Sequence, residues 1–134
     1  MMPIEFGDHG ATVAALGAAG ALLILQVLIA DLLGILRRHV PGTPVAADHG
    51  NALFRAGRAF ANTNETVAAF VLLVLFAMLS GADAGQLAVS AWCWLGARVL
   101  HMVCYYADWR VARSVAFAAS LLALATIGIT GLRA

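Results

Sequence analysis

Four stretches of this chain reach or approach the length that fills a bilayer, and that feature fixes most of what the chain can fold into. Crossing the hydrocarbon core as a helix takes about 20 mostly apolar residues. From Ser114 to Leu132 there is no charged residue, and from Gln86 to about Ala107 the apolar run is broken by Arg98 and His101. The first run, Ala11 to Leu36, contains Gln26 and Asp31. The second is uncharged only from Thr66 to Leu79, too short alone, so its helix must start upstream and carry polar residues into the membrane. Helices are therefore expected over about 11–38, 51–80, 86–107 and 112–132, in a single all-α, four-helix transmembrane domain. Composition agrees: 63% hydrophobic and 11% charged is far from the soluble balance of about half apolar and a quarter charged.

A formal net charge of +1, with every basic residue an Arg, excludes a nucleic-acid footprint and makes charge position the informative quantity. Arg37, Arg38, Arg55 and Arg58 flank the first loop, and Arg110 and Arg113 the third. The opposite side carries Glu5, Asp8, Asp83 and Arg133. By the positive-inside rule the first and third loops face the cytoplasm, and both termini face the non-cytoplasmic side of the cell inner membrane. The opening MMPIEFGDHG lacks a basic n-region and a small-residue cleavage site, so the first apolar run is expected to be retained. Cys93 and Cys104 stand roughly 16 Å apart along one helix, too far for a disulfide within it, and read as buried thiols.

The polar residues inside the apolar runs are patterned. Arg55, Arg58, Asn62 and Glu65 fall within an arc of roughly 80° on the second helix, and Arg98, His101 and Tyr105 within roughly 60° on the third. Glu65 and Arg98 lie at similar depths, roughly 10 and 13 Å from the same mouth, so these opposite charges are expected to meet. A purely structural role, a buried ion pair completed by Asn62 and His101, would account for those residues alone. It leaves over Arg55, Arg58, Arg110 and Arg113 at one mouth, with only Glu65, Asp31 and Asp48 to offset them. That surplus favours a cleft for an anionic ligand.

At these residues the chain resembles the MAPEG family, membrane-associated proteins of eicosanoid and glutathione metabolism. Arg58-x-x-x-Asn62-x-x-Glu65 with Phe70 beyond it looks like the family's second-helix signature. ARVLHMVCYYADWRVARSVAF, with Arg98, His101, Tyr105, Arg113 and Ser114 in order, is similar to the third-helix and fourth-helix entry of the prostaglandin E synthase branch, so the chain reads as a bacterial-type member nearest that branch. The resemblance implies a homotrimer with glutathione between subunits, held by Arg58, Asn62, Glu65, Arg98, His101 and Tyr105. It implies a glutathione transferase or peroxidase in which Arg113, with Ser114, activates the thiolate for a lipophilic electrophile or hydroperoxide. The link from Tyr105 to Arg113 is one residue shorter than in that branch, which leaves Arg110 as an alternative sulfur-facing residue, and Phe117 stands where the branch has Tyr.

The implied chemistry is coherent in itself. A thiol of pKa about 8.5 is mostly protonated at neutral pH, and a guanidinium at a helix N-terminus favours the thiolate. The alternative reading is a non-catalytic membrane scaffold or accessory subunit of a larger membrane complex. Haem would need paired axial His residues at matching depth, and only His101 lies within a span. No metal-spaced His/Cys cluster, phosphate loop or nucleophile elbow is present, so neither a metal nor haem is expected.

Overall fold

The computed structural model describes residues 7–134, so Glu5, used above for the charge asymmetry, lies outside the described residues. After a short 3-10 turn, Gly7–His9, come four helices: α1 (Gly10–Leu36), α2 (Ala52–Leu79), α3 (Ala84–Tyr106) and α4 (Arg110–Leu132). All four are long and apolar enough to span a membrane, and the described residues contain no strand. The protein is an all-α, four-helix membrane bundle.

Local chemistry sets the helix ends. Asn51 Oδ1 accepts from the Leu53 N–H at 3.0 Å to start α2, and Asp83 Oδ1 accepts from the Gln86 N–H at 2.7 Å to start α3. Three helices end in the same way, with one left-handed residue followed by a 6→1 bond to the last turn. In α1 the residue is Arg38, at φ 54°, and His39 N–H bonds Gly34 O at 2.9 Å. In α2 it is Gly81, with Ala82 N–H on Ala77 O, and in α3 it is Asp108, at φ 56°, with Trp109 N–H on Cys104 O at 2.8 Å. This motif ends α1 at Leu36, two residues short of the expected end. It also closes the α3–α4 link so tightly that α4 starts at Arg110 rather than at residue 112.

The core runs between α2, α3 and the inner faces of α1 and α4. Phe70 and Trp94 are fully buried and stack with centroids 3.9 Å apart and planes 6° apart. Near the far end of the bundle α4 approaches α2 closely at Gly131. A Cβ there would lie 2.7 Å from the Phe76 ring and 3.0 Å from the Ala77 Cα, so the absent side chain is what permits the contact. Cys104 is buried as expected, but Cys93 is exposed on the outer face of α3.

Candidate functional site

The site is built around a guanidinium whose hydrogen bonds all go to neutral side chains. Arg98, in the middle of α3, is 0% exposed. Its Nη2 donates to Asn62 Oδ1 at 2.6 Å and to Thr63 Oγ1 at 3.3 Å on α2, and its Nη1 donates to Ser120 Oγ at 3.3 Å on α4. Thr63 Oγ1 also accepts from Gln26 Nε2 of α1 at 3.1 Å, so one buried hydroxyl ties three helices. Buried charge in a membrane protein must find polar partners, and here they are all neutral.

The expected Glu65–Arg98 ion pair does not form. Glu65 is exposed, as is Arg58, and the ion pairs among the described residues are His49–Asp108 and Arg110–Asp108. The cause is angular. The buried side of α2 is formed by Ala56, Ala59, Thr63 and Phe70. An 80° arc that contains both Asn62 and Glu65 straddles its edge: Asn62 turns in to Arg98, whereas Glu65 and Arg58 turn outward. Arg55, at the inner end of the arc, is half-buried and its Nη1 donates to the His49 carbonyl.

In front of Arg98, at the end where α3 turns into α4, is an open cavity of about 200 Å³ lined by Asn62, His101, Tyr105, Arg113, Ser114 and Phe117. Arg113 stands over the Tyr105 ring at 4.3 Å, and the Tyr105 ring meets His101 edge-on at 5.0 Å. Phe117 closes the cavity against both His101, at 6.1 Å, and the Arg98 guanidinium, at 5.8 Å. Two lining atoms, His101 Nδ1 and Arg113 Nη1, are buried without a hydrogen-bond partner. In a native fold such groups commonly mark a place for a ligand or water. The Ser114 hydroxyl donates to the Arg110 carbonyl at 3.2 Å, which leaves its oxygen free to accept as well.

The structure thus brings together Asn62, His101, Tyr105, Arg113 and Ser114, with Arg98 directly behind Asn62. It does not bring Arg58, Glu65 or Arg110 into that cavity. Arg110 is exposed and leans on Asp108 at 3.7 Å, so of the two candidate arginines it is Arg113 that faces the cavity. Asp108 also faces His49 Nδ1 at 3.5 Å, tying the first loop to the α3–α4 turn beside the mouth. Thr63 and Ser120, which hold Arg98, were not read as site residues from the sequence. Their signal was weak, a single hydroxyl on each of two apolar helices, and hydroxyls are common in membrane spans as local backbone bonders.

The family profile described as the MAPEG family matches residues 13–133, which is nearly the whole chain. No curated relative matches it.

Proposed function

The chain belongs to the MAPEG family, and from that premise we propose that it is a membrane glutathione transferase or peroxidase whose working cavity is the one lined by Asn62, His101, Tyr105, Arg113 and Ser114. The observation that carries the reading is the convergence in one cavity of a cation, a phenol, an amide and an imidazole, two of them with unpartnered buried nitrogens. This donor set suits an anionic, amide-rich tripeptide.

Arg113 lies in the first turn of α4, where unpaired backbone N–H groups and the helix dipole add to its positive charge. A glutathione sulfur placed there is favoured as the thiolate, and only the thiolate attacks efficiently. Ser114, freed from the Arg110 carbonyl, supplies a hydroxyl to the same sulfur. With an electrophilic carbon, a C–S bond forms and the bonding pair leaves with the displaced group. With a hydroperoxide, the thiolate sulfur bonds the outer oxygen and the O–O pair leaves on the alkoxide, which takes a proton to give the alcohol. A second glutathione thiol then displaces water from the resulting sulfenic acid to give the disulfide. Apolar substrates reach such a cavity laterally from the bilayer.

The cavity is smaller than the roughly 300–1,000 Å³ of ordinary ligand sites. Arg58 and Glu65 also sit unpaired on the outer surface of a membrane-spanning helix. Both facts support a homotrimer in which an adjoining subunit closes over the open side of the site, so that Arg58 and Glu65 face the ligand's charged ends. The Arg clusters favour the cytoplasmic side of an inner membrane for this mouth.

The test is calorimetric titration of glutathione into detergent-solubilised protein, beside Asn62→Ala. Saturable binding by the parent, weakened in the variant, is expected. No heat from the parent at millimolar glutathione would refute the reading and leave a scaffold role.

A further inference from the structure

Asp31 has no explanation within a single copy of the chain. It lies on α1, five residues or roughly 7.5 Å inward from the end at Leu36. Its side chain is exposed, and among the described residues it takes part in no ion pair. The residues of α1 that face the core are Thr12, Ala15, Ala19, Leu22 and Gln26, and Asp31 projects from the other side of that helix. An ionised carboxylate presented outward from a membrane-spanning helix is costly, and such groups find partners.

Exposed Arg37 and Arg38 lie beyond the end of α1 at Leu36, and a cation at the depth of Asp31 stands on a different flank. Arg58 lies six residues, roughly 9 Å, inward from the start of α2 at Ala52, at nearly the depth of Asp31 and on the same side of the membrane. It too is exposed and unpaired among the described residues. The two belong to opposite flanks of α2. Asp31 lines a cavity with Gly57, Leu53 and His39 where α1 meets α2, the His39 Nε2 being engaged with the Thr43 carbonyl at 3.1 Å, and farther along that flank an apolar groove runs past Leu23, Val27, Phe60 and Asn64. Arg58 lies toward the α4 flank, one turn from Asn62 and its cavity. One copy therefore shows an unmatched anion on one flank and an unmatched cation on the other, at matching depth.

We propose that Asp31 of one copy pairs with Arg58 of the adjoining copy. The α1–α2 flank of each subunit then seats against the α2–α4 flank of the next, in a closed head-to-tail ring. Asp31 is thereby a residue of the composite site: it fixes the Arg58 guanidinium beside the cavity of Arg58's own copy, with the remaining N–H groups left for the ligand, and offsets part of that mouth's positive charge. The proposal rests on the oligomeric reading above and not on the identity of the ligand.

Charge reversal tests it without any ligand. In detergent and without glutathione, Asp31→Arg and Arg58→Asp should each shift the oligomer toward monomer, and the double reversal should restore most of the parent's oligomer. A second arm works even where reversal impairs folding. In a Cys93→Ala, Cys104→Ala background, copies carrying Asp31→Cys are co-expressed with differently tagged copies carrying Arg58→Cys, and membranes are treated with a short bismaleimide. A product carrying both tags is expected. Single reversals that leave the oligomer unchanged, a double reversal no better than the singles, or no two-tag product would each overturn the pairing. A monomeric parent would overturn it too, while calorimetry with glutathione reports separately on the ligand.

Discussion

Replacing Arg98 by Leu should separate what holds this bundle together from what binds its ligand. The substitution removes three side-chain hydrogen bonds, to Asn62, Thr63 and Ser120. Hydrogen bonds between membrane helices contribute about 0.6 kcal/mol on average and at most about 1.7, so the loss is about 2–5 kcal/mol. Against that, a buried Arg costs about 2.5–3.5 kcal/mol at the centre of a membrane helix, and that cost disappears. The terms nearly cancel, and unfolding by SDS titration should show a change within about 2.5 kcal/mol of the parent. Ligand binding has no such compensation. With its Oδ1 held by Arg98, the Asn62 amide is turned so that its N–H groups are free toward the cavity. Losing that orientation forfeits about one hydrogen bond to a charged ligand group, at least about 1.5 kcal/mol, or a tenfold weaker glutathione Kd by calorimetry. Arg98→Lys keeps the charge but not the forked donor, and should weaken binding similarly. An unchanged Kd in both variants would refute the orienting role, and a stability loss beyond about 2.5 kcal/mol would refute the cancellation.

Arg113→Ala should lower turnover more than glutathione affinity. About a tenfold loss corresponds to each pKa unit of thiolate stabilisation removed, and ultraviolet thiolate absorbance of the bound complex reads it directly. Arg110→Ala, by contrast, removes only an exposed contact to Asp108 and should cost no more than about 1 kcal/mol, with turnover kept. Abolished turnover there would assign the sulfur to Arg110. Gly131→Ala places a Cβ against the Phe76 ring and the Ala77 backbone, and should destabilise the bundle by about 1–3 kcal/mol in SDS titration.

Helix number and type were legible because bilayer length and apolar composition leave little else to choose. Helix ends were less so. Arg38 and Asp108 take the left-handed conformation usually left to Gly, and nothing in RRHV or YADWR announces that. The cavity residues His101, Tyr105 and Arg113 were readable from spacing and resemblance together. The Glu65–Arg98 pair fails because depth matching along two helices says nothing about rotation, and the α2 arc crosses the boundary between core and outer surface at Asn62. Thr63 and Ser120 were invisible as partners because a hydroxyl in an apolar helix looks the same whether it bonds its own backbone or a distant guanidinium.

The neutral cage around Arg98 also bears on how the protein is made. Of the four spans, α3 has the lowest mean hydropathy, 1.4 against 2.1 for α4. Its two terminal nitrogens find their partners only when Asn62 and Thr63 are already in place on one side and Ser120 arrives on the other. A nascent chain halted after Asp108 would offer the translocon a weak segment with an exposed cation, and an insertion assay on that truncation should show poor integration that the addition of α4 corrects. Integration of the truncated chain as efficient as that of the full chain would refute a hairpin order in which the third span waits for the fourth.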